Sequence, residues 1–585
     1  MGLLQKALET YDAMERLAGV YEEGKEPLAP VGHIVTKAQI EVTIDAEGQF
    51  VSARAADKEK KIIIPVTEES AGRTSSPSAH PLCEQLGYLL GQDGAKLTLY
   101  TQGLEKWTQS AHSNPKAAAV LRYIQQNRLR NDLAASGLST EKEKDMVCWR
   151  VLGFGTDDHS ATWEDVSLMQ AYTAYYLSEQ QKEKQLCMLT GKDSFITWQH
   201  LKGAFSLNGN AKIISANDSS NFTYRGRFAE PGEAASVGYL ASQKAHNALK
   251  WLISNQGTIQ GNRAFVAWNP QGKRIPRPTL PLFSFSEKTP PLPTYRNYRD
   301  DLRKKLSGYA TTLEASDQVV VAAFDAATTG RLSLTYYNEM QAHDFLERLH
   351  DWDAGCCWPH RNFGIQSPSL RSIVDCAFGT QRDKWMETDN RILRQQMQRL
   401  IACRVDKALI GADIVKALVS RASRPQAYDS NVWENILFTA CAVIRKYRMD
   451  RFKEEWNMAL EPEKKDRSYQ FGRLLAVMEK VERDTYASDT REPNAIRMQS
   501  VFCQRPMYAA GNLEKQLERA YFPRLKPGIR IWYKNLMGQI MDIISAFPQE
   551  DWNKPLEDSY LMGYYLQRSA LYTKKTDNEM EENEQ

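Results

Sequence analysis

Excess charge, paired cysteines, long apolar runs and C-terminal histidine are all missing from this chain, and each shortage removes a class of function. Lys and Arg number 75 against 72 Asp and Glu over 585 residues, a formal net charge of +3. Bulk charge therefore cannot hold a polyanion, and any nucleic-acid contact must come from local patches. The nine cysteines stand singly at Cys83, Cys148, Cys187, Cys376, Cys403, Cys441 and Cys503, with one adjacent pair, Cys356 and Cys357, and no CxxC. That spacing excludes a zinc ribbon and a disulfide framework, and it predicts a reduced, cytoplasmic setting. No segment approaches the ~18 consecutive apolar residues that a bilayer span requires. The opening MGLLQKALETYDAMERL places charges every few residues, unlike a secretory signal. The last histidine is His360, so the C-terminal third is a poor place for acid–base chemistry near neutral pH.

Motifs for catalysis are equally sparse. Gly191-Lys192 lacks the P-loop context, because Leu186 stands where the first glycine belongs and Asp193 where Ser or Thr must follow. Gly153-Phe154-Gly155 has no third glycine for a dinucleotide fingerprint, and no Gly-x-Ser-x-Gly occurs. Cys356, Cys357 and His360 have no partner pair at zinc-binding spacing. Two dipeptides, His343-Asp344 and His350-Asp351, invite comparison with metal phosphohydrolases, and a metal-dependent nuclease using these four residues is one alternative. Phe345, Leu346 and Leu349 between them predict one amphipathic helix on which the spacing simply repeats a face. The chain is expected to be no enzyme, with no metal and no cofactor. A protein–protein adaptor without nucleic-acid contact is the other alternative.

What is present is an α+β pattern in a chain long enough for about two to four domains. Apolar residues near helical spacing predict a helix over residues 3–17. Strict alternation in Gln39–Asp45, a Glu47-Gly48 turn before Phe50-Val51, and Lys61–Val66 predict a small antiparallel sheet. Further strands are expected at 147–152, 211–215 and 263–268, with a hairpin of 318–324 on 331–337 and a helix at 234–254. Residues 272–305 are rich in proline and in Lys and Arg, which predicts an exposed linker or a segment lying along a phosphate backbone. From about residue 384 the pattern is helical. Phe471, Leu474, Leu475, Met478 and Val481 share one face, as do Trp532, Leu536, Met537, Ile540, Met541 and Ile544. The expected division is a mixed α+β region at 1–383, a helical bundle at 384–570 and a disordered tail at 571–585. Cations interleave with aromatics in Tyr295–Arg299 and Arg524–Lys534, where phosphates and unpaired bases could be met.

The polar stretch 187–226 carries Cys187, Thr190, Gly191 and Lys192, then His200, Lys202 and Gly203, then Asn217, Phe222, Tyr224 and Gly226. Three further blocks accompany it. Met1–Leu8 is followed by Arg73-Thr74-Ser75, Leu82-Cys83 and Tyr88–Gly91. The others are Phe471–Lys480 and Gly563–Arg568. Together these resemble the large subunit of the type I-C CRISPR interference complex, Cascade. Two departures are Glu84-Gln85, where that family usually shows Asp-Asn, and Thr223-Tyr224, where it shows Ser-Tyr.

The resemblance implies a non-enzymatic scaffold in antiviral defence. A guide RNA reads target double-stranded DNA by pairing, while the large subunit recognises the protospacer-adjacent motif and stabilises the opened R-loop. Its implied partners are the backbone, guide-end and small subunits of Cascade and a separate helicase-nuclease. Groove reading asks for compact polar groups on a loop. The candidates are Arg73, Thr74, Ser75 and Ser76, then Asn217, Asn221, Tyr224 and Arg225, with Lys192 and Lys202 as phosphate contacts. Lys273, Arg274 and Arg277 represent the basic segment. The competing expectation is that Ser and Asn satisfy their own turns. The C-terminal bundle resembles the small subunits, so Met449 or Met458 could begin an internally translated product.

Overall fold

The computed structural model describes residues 2–73, 76–90, 94–154, 159–180, 184–204, 210–214, 228–283, 294–328, 330–486 and 491–572. Residues 573–585 of the expected tail and the segment carrying Asn217, Asn221, Tyr224 and Arg225 lie outside these residues, as do Thr74 and Ser75, whereas Leu571 and Tyr572, also expected in the tail, complete the last helix. The fold is α+β, and the chain packs as two compact units. One comprises residues 1–275 and 315–342, the other 276–314 and 343–585. The helical unit thus takes in residues 343–383 and a detour through 276–314, which the sequence had assigned to the mixed region.

The first unit contains two four-stranded sheets. In one, Ile40–Asp45 lies between Phe50–Ala55, antiparallel, and Met146–Leu152, parallel, with the short Glu84–Gln85 at the far edge. Alternation in the sequence explains the central strand, because Ile40, Val42 and Ile44 all point into the core. Gly48 makes the turn at a φ of +82°, and a Cβ there would come within 2.8 Å of the Ala119 carbonyl oxygen. Lys61–Pro65 does not join this sheet as expected. It pairs with His33–Lys37 in a separate two-stranded ribbon.

The second sheet runs Arg331–Gln341, Gln318–Thr328, Arg263–Trp268, Thr258–Gln260, antiparallel throughout. Helices Leu3–Met14 and Tyr239–Gln256 share a core with it through Leu3, Ala7, Tyr11, Leu249, Leu252, Trp268 and Phe324. The indole of Trp268 donates to Thr10 Oγ1 at 3.0 Å, which satisfies the one polar atom that burial would otherwise orphan. The strand expected at 211–215 is absent from described residues 210–214, where Lys212 makes only isolated bridges to Lys202 and Arg331.

In the second unit the described residues 276–283 of the proline-rich stretch are not an exposed linker. Thr279 and Leu282 are buried, and the Pro278 and Leu280 carbonyls accept from Arg404, which pairs with Asp353 where neither side chain meets solvent. Past residue 293 the chain forms the helix Tyr295–Ala310, whose inward face is Tyr298, Leu302 and Leu306. The remainder is built from Ala342–Gly355, Leu370–Phe378, Asn390–Asp406, Ala412–Ala422, Ser430–Phe452, Arg467–Arg483, Pro527–Ser545 and Ser559–Tyr572, with small hairpins near 360 and 383. Met449 falls inside Ser430–Phe452, whereas Met458 lies between that helix and Arg467–Arg483.

Arg467–Arg483 is buried along nearly its whole length. Its contact with Ser559–Tyr572 is a glycine crossing. A Cβ on Gly472 would sit 1.9 Å from the Tyr560 carbonyl oxygen, and one on Gly563 would sit 2.1 Å from that of Tyr469. Both obstacles are backbone, so no rotamer change relieves them. Gly472→Ala and Gly563→Ala should each destabilise the chain by on the order of 3 kcal/mol. Gly538→Ala, in a helix with open space around it, should be neutral or stabilising by up to about 1 kcal/mol. Thermal or denaturant unfolding of the three variants checks this; a stable Gly472→Ala would contradict the crossing.

Candidate nucleic-acid interface

The short helix Glu68–Gly72 begins with a reciprocal cap, Thr67 Oγ1 accepting from the Ser70 amide and Ser70 Oγ from the Thr67 amide. It delivers the chain to Arg73. There the guanidinium donates to both oxygens of Glu84, at 2.6 and 2.8 Å, and to the Ser78 carbonyl at 2.9 Å. It also lies over the Tyr88 ring, 4.8 Å from its centroid. Glu84 has no exposed side-chain surface and accepts further from the amides of His80 and Gln85. Arg73, expected at base edges, is therefore the residue that closes its loop. Ser76, also a candidate, is exposed.

Lys202 joins this loop to the 187–204 segment, its ammonium donating to the Arg73 carbonyl at 3.0 Å. Lys212 is brought alongside by the bridge between the two lysines and by the Gly203 amide, which donates to the Ala211 carbonyl. Burial holds both half-buried ammonium groups below the ordinary lysine range, and Lys202 is lowered further by Lys212 and Arg73. Among the described residues neither is paired with a carboxylate. Lys202 and Lys212 thus form a positive spot that no described carboxylate neutralises. Lys212, which composition did not single out, is legible only once the bridge sets it beside Lys202. The chain leaves the described region at residue 214, two residues past Lys212, so the Asn217–Arg225 candidates follow directly in sequence.

Lys192 is exposed on the turn between Lys184–Leu186 and Asp193–Phe195. Cys187 organises that turn. Burial, the largest influence, pushes its thiol up, yet hydrogen bonds from the Thr190 hydroxyl and the Gly238, Thr190 and Leu189 amides outweigh it and bring the thiol below its ordinary value. Of the basic segment, Lys273 pairs with Asp317 at 2.8 Å, and Arg274 and Arg277 are exposed.

The helical unit rearranges the remaining candidates. His343, Asp344, His350 and Asp351 occupy one helix, Ala342–Gly355, with the dipeptides two turns apart. Asp351 is paired with Lys407 at 3.1 Å. Among the described residues no group of three or more His, Cys, Asp or Glu side chains converges for a metal. Tyr298 is fully buried and donates to the Asp353 carbonyl, so it is core, not a stacking ring. On Pro527–Ser545 the inward stripe is Tyr533, Met537, Ile540 and Ile544, while Trp532, expected inside, is 52% exposed beside Ile529 and Ile531. Arg524 and Lys526 are exposed at the start of this helix.

Buried imidazoles surround the lysine pair. Burial lowers His200 to about 3, helped by His246 and Lys212, and lowers His246; it holds His80 well below its ordinary value, helped by Arg73 and Lys202. His33, elsewhere in the same unit, is lowered to about 4 by burial. Each of the four takes up a proton more readily unfolded, near the ordinary 6.5, than folded, so stability is full above that pH and falls below it, for His33 down to about 4 and for His200 to about 3. The slope approaches about 1.4 kcal/mol per pH unit for each histidine. Hydrogen exchange of the Ile40–Asp45 and Met146–Leu152 amides, corrected for intrinsic rates, should show protection decreasing from pH 7.5 to 5.0; unchanged protection would contradict the burial of these rings.

No curated protein matches the chain. Residues 9–572 match the family model described as CRISPR-associated protein (Cas_Csd1). A match from the first helix to the last, over a molecule with an unneutralised lysine pair beside a braced polar loop, leaves one conclusion: the chain belongs to the Cas_Csd1 family of CRISPR-associated proteins.

Proposed function

We propose that this chain is the large subunit of a type I-C CRISPR surveillance complex and that it binds nucleic acid without cutting it. The observation that carries the reading is the Lys202–Lys212 pair, two half-buried ammonium groups without carboxylate partners among the described residues, joined by hydrogen bond to the loop that presents Ser76. Holding two desolvated like charges together costs free energy, and a phosphate between them would recover it. In this reading the guide RNA supplies sequence recognition, the loop meets the protospacer-adjacent motif in duplex DNA, and the lysines grip the backbone beside it. Within the helical unit, the exposed Arg524 and Lys526, with Trp532, suit a displaced single strand, since cations meet phosphates and an open ring stacks on bases. Cleavage falls to a recruited helicase-nuclease in antiviral defence. The backbone, guide-end and small subunits complete the complex. If a small subunit is translated internally, Met458 is the better start, because Met449 would begin within the last turn of Ser430–Phe452.

Titration of the assembled complex with target duplex at several salt concentrations tests the reading. Lys202→Ala with Lys212→Ala should weaken binding to correct and scrambled flanking motifs alike, and reduce the slope of log affinity against log salt by about 1–2. An unchanged slope would remove the pair from the DNA interface.

A further inference from the structure

We infer that Glu84 and Arg73 are positioning residues for flanking-motif recognition, holding the limb of the loop behind Ser76 in shape without touching DNA; this rests on the function proposed above. The carboxylate of Glu84 has no exposed surface and receives hydrogen bonds from Arg73 Nη1, Arg73 Nη2 and the amides of His80 and Gln85. A buried carboxylate so surrounded is fixed in place. Arg73 is fixed in turn. Its third bond reaches the Ser78 carbonyl, its plane rests on Tyr88, and its own carbonyl accepts from Lys202. Tyr88 adds the last tie, its hydroxyl accepting from the Ser78 amide at 3.2 Å. Ser78 is therefore held at both its N–H and its C=O, and His80 at its N–H. Ser76 and Pro77, immediately before these anchors, are exposed.

For Arg73 to reach a base it would have to abandon Glu84 and both of the bonds it makes to that buried carboxylate. A bidentate fork is what the geometry uses, and lysine cannot supply it. Charge and position can therefore be separated by substitution. A directly contacting Arg73 would be released by Glu84→Gln, which also removes a negative charge, and its attraction for phosphate would survive in Arg73→Lys. A positioning pair gives the opposite pattern.

The test compares binding of the assembled complex to target duplexes with the correct and with a scrambled flanking motif. Glu84→Gln and Arg73→Lys are each expected to lose about tenfold or more of the preference for the correct motif, the scale of one misread base pair, while affinity for the scrambled duplex stays within about threefold. Glu84→Asp, which restores the carboxylate, is expected to recover part of the preference. Preserved or increased preference in Glu84→Gln overturns the inference. Should Glu84→Gln fail to assemble, Tyr88→Phe removes only the acceptor for Ser78 and leaves the ring and ion pair; an undiminished preference in that variant likewise overturns it. A wild-type complex that does not distinguish the two duplexes would instead overturn the functional reading itself, and the inference with it.

Discussion

A carboxylate with no contact with solvent organises the stretch around residues 76–85 of the first unit. Glu84 sits at the edge of a four-stranded sheet, and a carboxylate buried there needs the partners it has in Arg73 and two backbone amides. Everything nearby follows from that requirement. Arg73 turns its guanidinium to Glu84, and the Arg73 carbonyl accepts from Lys202. Because Arg73 and Glu84 neutralise each other, Lys202 and Lys212 are left, among the described residues, without a carboxylate partner. A chain with almost no net charge can thus present a local positive spot where, among the described residues, two lysines lie together without a carboxylate.

The helical unit uses backbone proximity and enclosed ion pairs where the first unit uses a loop. Gly472 and Gly563 let two helices meet with carbonyls at the crossing, and Arg404 with Asp353 tethers the otherwise irregular 276–283 stretch. Enclosed pairs of this kind contribute less to stability than to uniqueness, since one partner alone would be costly to bury. The unit consequently leaves a different surface for contact, with Trp532 and its apolar neighbours outward on a helix that uses only one stripe for packing.

Local periodicity made much of this legible, and long-range pairing made the rest obscure. The alternation in Gln39–Asp45 identified a strand because one face of it is core, yet nothing local specifies its parallel partner Met146–Leu152, about a hundred residues on. The strand Lys61–Pro65 was visible, while its true partner His33–Lys37 was hidden behind the Pro30 and Gly32 breakers. Composition misled at 276–283, because proline and charge say that a segment cannot form a helix but not that it is exposed. Trp532 and Tyr533 are neighbours on one helix, and a rotation of one position decided which ring went inside. Arg73 carried a missed signal. Glu84 stands between Leu82-Cys83 and Leu86, and a lone carboxylate in an apolar run needs a buried cation, which the nearest unclaimed arginine provides. The departure from Asp to Glu at this position keeps the carboxylate, which is the part the geometry uses.

The central claim is that the lysine pair faces nucleic-acid backbone beside a loop braced from within. Direct imaging of the assembled complex on a target duplex tests it most plainly. The account predicts a DNA phosphate within hydrogen-bonding reach of Lys202 Nζ and Lys212 Nζ, with the Arg73 guanidinium still on Glu84. A structure in which protein covers both lysines, or in which Arg73 has left Glu84 for a base, would contradict it.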